Sequence, residues 1–412
     1  MTHPSVEHVL VLNDFCHVQG GASKVAIDEA IALAESGVQV TFLGAVGPVC
    51  EALQDAPLRV ICLEQPQLLD AARRPAAALQ GILNRAANAM VRELLALRDP
   101  TRTIVHLHGY TKALTTGPVL VARRAGFRSI VTLHDFFAAC PNGAFYDYRK
   151  QQPCPLVALS PACMITACDK RHQLHKAYRL ARGLAQRHLA AFPRCVLDYV
   201  TLSRRSADIL RPYLPDDAVL YPLNNIIDVP AAPPVNVATN RSLLVLGRLD
   251  AEKGVTLAAE AAALAQWSII FAGEGPERPA LERLGATITG WVSKEQVWQL
   301  LAQARCLIFP SRWYETFGLV VSEAAARGVP SIVSDVSAAA ERISEGVTGW
   351  TFRSGCADDL ARCLAVLKDD ATVCRIGRAA YDDFWSSPQD QQNHTEALLA
   401  IYANVLARRS AS

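Results

Sequence analysis

Residues 6–46 read VEHVLVLNDFCHVQGGASKVAIDEAIALAESGVQVTFLGAV. The apolar run VEHVLVLND ends in the polar pair Asn13 and Asp14, and a Gly20-Gly21 step then opens KVAIDEAIALAESG, whose apolar positions recur at helical spacing. VQVTFLGAV repeats the strand pattern. Strand, helix and strand in so short a span make a βαβ unit, and a βαβ unit implies a parallel sheet. Further strand candidates are RVICLE, TIVHLHG, SIVTLHD and DYVTLS. Each ends in a polar residue or glycine at its carboxyl end, where open α/β sheets bind ligands.

After Asp228 the text changes to VPAAPPVNVATN, rich in proline and small residues, which reads as a linker. A second α/β series follows: SLLVLGRLD, the helix KGVTLAAEAAALA, WSIIFAGEG, ATITGWV, RCLIFPS and PSIVSD. The expected organisation is an α/β domain over 1–228, a linker over 229–240, a second α/β domain over 241–385, and a closing helix over 386–412. That helix is expected to pack back towards the N-terminal domain. Two such domains on one linker form a cleft, a usual place for a ligand.

Across 412 residues the net charge is only +2, which excludes a broadly basic nucleic-acid binder. Residues 1–225 hold 24 Lys and Arg against 18 Asp and Glu, so the first half is basic and the second acidic. The start MTHPSVEHVLVLND lacks the basic residues and long apolar run of a secretory signal, and twelve cysteines lie among apolar residues. Those features predict a cytoplasmic protein with reduced thiols. No run approaches the roughly 18 apolar residues of a spanning helix.

Chemistry concentrates in the second half. In LVLGRLDAEKGV, Arg248 and Lys253 flank a strand-to-helix loop and could neutralise a diphosphate. FAGEGPE is another glycine-containing loop after a strand. RWYETFGLVVSE places Glu315 and Glu323 eight positions apart around Gly318. Because Gly318 disfavours a helix through the whole interval, Glu315 is expected in a loop and Glu323 in a helix starting near Phe317. The pair then reads as two contacts to different parts of one ligand.

GRLDAEKG, FAGEGP, TGWV and FPSRWYETFGLVVSEAAARGVPSIVSD, in that order, resemble the C-terminal domain of family 4 retaining glycosyltransferases of group 1, with the EX7E motif. QGGASKVAIDEAIALAESG resembles that family's first glycine-rich loop and helix. The resemblance implies the GT-B fold, two Rossmann-like doubly wound α/β domains facing across a cleft. It also implies a donor of the UDP- or GDP-sugar type, and transfer of a hexose with retention to a glycan or lipid-linked acceptor in cell-surface polysaccharide or glycolipid synthesis. By the same resemblance Glu323 would hold the donor ribose and Glu315 the transferred sugar. The amides of Phe317, Gly318 and Leu319 would lie between them, and Trp291 and Val292 near the base. His134 would stand beside the sugar and acceptor, and Gly20 and Gly21 would bring the first loop close to the diphosphate or acceptor. Asp14 and His17 are further acceptor-side candidates. Arg248 and Lys253 take the place of a metal in stabilising the leaving diphosphate, so no cofactor is expected.

Three features of the N-terminal half remain. His106 and His108 in VHLHG are read as facing opposite sides of a strand, one of them structural. Cys140, Cys154, Cys163 and Cys168, in an insertion over 140–168, could hold a structural zinc, although no CxxC knuckle is present. Residues 170–194 carry seven Lys and Arg and no acid, with apolar residues between, a pattern that could lie on the anionic inner face of the cytoplasmic membrane. Rivals of another class are a nucleotide-sugar epimerase of the same shape and a non-catalytic sugar-nucleotide binder; GRLDAEKG with the complete EX7E argues against both. A dinucleotide dehydrogenase fails for lack of GxGxxG after either first strand.

Overall fold

The computed structural model describes residues 6–66 and 79–408. Its first half contains β1 (His8–Phe15), β2 (Gln39–Val46), β3 (Arg59–Cys62), β4 (Thr103–Leu107), β5 (Arg128–Thr132), β6 (Tyr146–Asp147), β7 (Gln152–Pro153), β8 (Asp198–Thr201) and β9 (Val219–Pro222). Seven of these form one parallel sheet in the order β3-β2-β1-β4-β5-β8-β9, while β6 and β7 pair as a small antiparallel hairpin. β1 is buried along all eight residues, as a strand covered by helices on both faces must be. It pairs with β2 on one side and β4 on the other, so the strand order reverses there. A crevice opens at the carboxyl ends of the two central strands, which sets Asp14, Gly20 and His108 around one space.

The second half repeats the plan with β10 (Ser242–Leu246), β11 (Ser268–Ala272), β12 (Thr287–Gly290), β13 (Ala304–Phe309), β14 (Ser331–Ser334) and β15 (Gly349–Phe352) in the parallel order β12-β11-β10-β13-β14-β15. β10 lies between β11 and β13, so a second crevice opens beyond Leu246 and Phe309, where Arg248 and the glutamate segment follow. β15, in GVTGWTF, was not anticipated from sequence.

The chain returns to the first half at its end. The helix Gln391–Ala407 buries Leu398, Ile401, Tyr402 and Val405 in one cluster with Val9, Val11, Ile27 and Leu33. Each such side chain contributes roughly 1.5–3 kcal/mol relative to exposure. Between the halves, Phe317, Leu202, Ile227, Ala326 and Phe384 form a separate apolar cluster. The two crevices therefore face each other across a packed contact.

Candidate active site

On the C-terminal side, Gly254 has φ +68, and a Cβ there would fall 2.1 Å from the Pro310 carbonyl oxygen. Only glycine lets the cation loop approach the segment after β13 so closely. That approach brings Lys253 Nζ to 2.6 Å from Glu315 Oε1, and Nζ also lies 5.3 Å from the Trp313 ring centroid. Arg248 follows β10, is largely exposed, and pairs with Asp250. The FAGEGP loop is tied to the same turn by the Leu249 N–H, which donates to the Glu274 carbonyl at 2.9 Å.

Glu315 sits in the left-handed region, φ +49, unusual for a residue with a side chain and held by its surroundings. Its Oε1 accepts from Lys253 Nζ, from Ser311 Oγ at 2.7 Å and from Trp313 Nε1 at 2.7 Å. All three bonds fall on one oxygen, and Oε2 has no partner among the described residues. Gly318 has φ +88, where a Cβ would meet Ala339 Cβ at 2.6 Å. The helix runs Leu319–Ala326, so it starts two residues later than expected at Phe317, because Gly318 takes the left-handed turn that precedes it. Phe317 is anchored in the apolar cluster between the halves, with the Arg342 guanidinium 3.6 Å from its ring centroid. The Phe317, Gly318 and Leu319 amides open this helix, an arrangement suited to an anion or hydroxyl. Glu323 lies half-buried one turn on, and burial raises its pKa while Lys24 and Lys294 oppose the rise. Trp291 is exposed, whereas Val292 packs on the core.

Across the cleft, Gly20 precedes the helix Gly21–Glu35, and a Cβ at Gly21 would stand 4.0 Å from Leu319 Cδ1. The glycine loop and the Phe-Gly-Leu step thus face each other. The Gly20 N–H is already taken by Ser23 Oγ at 3.1 Å. Thr316 Oγ donates to the His134 carbonyl at 3.0 Å, tying the EX7E segment to the expected histidine. His134, Asp135, His108, Lys112, Gly20 and Gly21 are among the residues around a cavity of about 220 Å³. Asp135, beside His134, escaped the sequence reading; burial lifts its carboxyl to about 6, opposed by the Phe137 N–H, Lys112 and Arg182. Its only sequence signal was the step LHDF at a strand end. Asp14 lines the same cavity, and its carboxylate accepts the N–H groups of Lys112, Ala113 and Leu114 at 2.8, 2.9 and 2.8 Å and so shapes the loop after β4. His17 is half-buried, with Nδ1 3.3 Å from the Pro48 carbonyl.

His106 and His108 do not face opposite sides. Residues two apart along a strand direction share a face, and the two rings are 4.0 Å apart. Both lie beside Glu29, and among the described residues this trio is a group whose ligand atoms come within 4.8 Å of one another. His106 has no nitrogen to offer an ion, since Tyr402 OH and Thr132 Oγ1 each stand 2.7 Å from one ring nitrogen.

Among the described residues no three sulfurs of the four cysteines come within 4.8 Å of one another, so the structure does not gather them as a zinc ligand set. Cys140 Sγ donates to Asn142 Oδ1 at 3.0 Å, and Lys176 Nζ lies 3.4 Å from Cys168 Sγ, a buried cation that opposes a second one. The stretch just after the insertion reaches the loop after β10, because Lys170 Nζ lies 2.7 Å from Glu252 Oε1 and 2.9 Å from Asp250 Oδ1. The helix Gln173–Leu189 also differs from a basic outer face. Lys176 and Arg182 are buried and Arg179 pairs with Asp169 at 2.8 Å, while Leu174, Leu184 and Leu189 are exposed, as are Val157, Met164 and Ile165 nearby.

Residues 240–370 match the family described as Glycosyl transferases group 1. The alpha-D-kanosaminyltransferase of Streptomyces kanamyceticus is 34% identical over 141 residues, covering 31% of this chain and 36% of that protein. A GDP-mannose-dependent alpha-(1-6)-phosphatidylinositol dimannoside mannosyltransferase of Mycobacterium tuberculosis is 38% identical over 141 residues, covering 31% of this chain and 35% of that protein. The chain spans about a third of the length of these curated relatives. Among solved structures, Anabaena HepE in complex with UDP and glucose aligns with TM-score 0.66 and 18% identity over 97% of this chain and 100% of that one. Sucrose-phosphate synthase from Thermosynechococcus elongatus aligns with TM-score 0.70 and 17% identity over 97% and 99%. At such identity the likeness concerns the fold.

Proposed function

We propose, from a chain whose residues 240–370 match the group 1 glycosyl transferases and whose fold is GT-B, a retaining glycosyltransferase that moves a hexose from a UDP- or GDP-type sugar to a glycan or lipid-linked acceptor. The observation that carries this reading is the convergence of Glu315, Glu323 and the Phe-Gly-Leu amides on one side with Gly20, Gly21 and His134 on the other. Residues 241–385 hold the nucleotide sugar and residues 1–228 present the acceptor.

In this reading Glu323 accepts from the ribose hydroxyls and Glu315 Oε2 from a hydroxyl of the transferred sugar. Charge that develops on the leaving diphosphate is met by Arg248, Lys253 and the helix N-terminus at Gly318, which makes transfer metal-independent. On donor binding Lys253 exchanges part of its bond with Glu315 for phosphate oxygens, and Glu315 keeps its place through Ser311 and Trp313. With no carboxylate assigned as a nucleophile, the leaving phosphate takes the acceptor proton on the same face. The enzyme works in the cytoplasm in cell-surface glycan synthesis. Contact with an anionic membrane is proposed through the exposed apolar residues Ile165, Leu174, Leu184 and Leu189, with the exposed Arg171 and Arg194 in the same stretch of chain.

A thermal-shift screen against UDP, GDP and ADP sugars, followed by transfer to a crude lipid extract with and without EDTA, tests the reading. Stabilisation by one nucleotide class and EDTA-resistant transfer are expected. Epimer formation without acceptor, or binding without turnover, would overturn it. Flotation with vesicles lacking and containing anionic lipid tests the membrane contact, and loss of dependence on lipid would remove it.

A further inference from the structure

A line of buried polar groups runs from the cleft to the C-terminal helix. His134 Nε2 lies 3.0 Å from His108 Nδ1, and His108 Nε2 lies 3.4 Å from Glu29 Oε2. Glu29 Oε1 lies 3.0 Å from His394 Nε2, and His394 Nδ1 lies 2.8 Å from the Asn224 carbonyl. Glu29, His108 and His394 are 2%, 3% and 5% exposed, so water does not compete here, and Glu29 Oε2 and His108 Nε2, both buried without a hydrogen-bond partner, face each other at 3.4 Å. The neighbouring histidine does not enter the line, because both nitrogens of His106 are already bonded.

The protons in this line follow from donors and acceptors. His394 faces two acceptors, a carbonyl and a carboxylate, so both of its nitrogens carry hydrogen and it forms an ion pair with Glu29. Burial disfavours that charge, but the bonds to Glu29 and Asn224 outweigh it and raise the His394 pKa. Burial holds His108 and His134 neutral. A neutral His108 beside a carboxylate oxygen keeps its proton on Nε2. Its Nδ1 is then a lone pair, which can only accept from a His134 Nε2–H. His134 is left with a bare Nδ1, and that nitrogen has no partner among the described residues.

We propose that Glu29 and His108, anchored by His394 of the C-terminal helix, are positioning residues that fix His134 in the Nε2–H tautomer, so that its Nδ1 accepts a hydrogen bond from a sugar hydroxyl in the cavity. The consequence for turnover rests on the glycosyl-transfer reading; the tautomer itself does not. The line also joins residues 365 positions apart, Glu29 and His394, to one ring in the cleft.

The test is a long-range proton–nitrogen correlation spectrum of the full chain labelled with ¹⁵N-histidine, with His134 assigned by loss of its signals in His134→Ala. The wild type should show a His134 Nε2–H tautomer. In Glu29→Leu the acceptor facing His108 Nε2 is gone, so the His108 proton moves to Nδ1, where His134 Nε2 can accept it, and the His134 proton moves to Nδ1. That variant should lose about tenfold in kcat, the worth of one hydrogen bond, with donor KM within about twofold. An Nδ1–H His134 in the wild type, an unchanged tautomer in folded Glu29→Leu, or stoichiometric metal in the purified protein would overturn the assignment. Should Glu29→Leu fail to fold, the wild-type spectrum and Glu29→Gln decide: in the latter a neutral His394 accepts the amide NH₂ on Nε2, the amide oxygen faces His108 Nε2–H and the His134 Nε2–H tautomer persists, whereas an Nδ1–H His134 there would overturn the assignment. A correct tautomer with no transfer from any nucleotide sugar would leave this assignment standing and overturn the glycosyltransferase reading.

Discussion

The two walls of the cleft are built in opposite ways. On the C-terminal wall, short loops carry charged side chains that are already paired, Lys253 with Glu315 and Arg248 with Asp250, at or near the surface. On the N-terminal wall, neutral histidines stand on a buried scaffold drawn from three distant parts of the chain. The first arrangement suits a ligand that brings its own charge and displaces an ion pair. The second suits a ligand that brings hydroxyls and needs a fixed acceptor. Charge is handled where solvent can assist exchange, and tautomer is handled where solvent is excluded.

Substitutions can break that contrast. The largest effect is expected for Lys253→Ala, which removes a fixed cation from the leaving group: kcat should fall by about 10²–10³, with the melting temperature nearly unchanged. A near-wild-type rate would sink the donor assignment. Next, Glu323→Ala should weaken nucleotide binding about tenfold in calorimetry, whereas Glu315→Ala should spare the nucleotide and lower turnover. The reverse pattern would exchange their roles.

A smaller effect concerns pH. Asp135 has its carboxyl raised to about 6, above the ordinary 3.8, so the folded state holds the proton more tightly than the unfolded one. Its contribution to stability is therefore greatest at low pH and declines between about pH 4 and pH 6. Asp135→Asn should flatten that part of the melting-temperature profile, and an unaltered profile would count against the assignment. The smallest effect is expected for Lys170→Ala. Its bonds to Glu252 and Asp250 are partly exposed, and the loss should stay within about 1 kcal/mol in denaturant melts, with transfer reduced only a few-fold.

The contrast also explains what could be read in advance. The donor wall is local in sequence: the spacing of Glu315, Gly318 and Glu323 already forced a loop followed by a helix, and only the helix start moved, from Phe317 to Leu319. The acceptor wall depends on tertiary partners. Asp14 looked free until three backbone amides were found on it. The basic run over 170–194 looked like an outer face because its acids, Asp169, Asp250 and Glu252, lie outside the run or in the other half. The cysteine spacing could not reveal that Asn142 and Lys176 stand among the thiols.

The return of the helix Gln391–Ala407 onto the helix Gly21–Glu35 has a consequence for recombination between related chains. The natural-looking cut, in the stretch between β9 and β10, would give a hybrid whose C-terminal parent supplies His394 and Tyr402 while the N-terminal parent supplies Glu29 and His106. Such a hybrid would inherit a buried carboxylate whose counter-charge comes from a stranger. A double crossover that transplants the second half but restores residues 391–408 from the first parent keeps that pair native, and the C-terminal wall can then be exchanged without disturbing the N-terminal one.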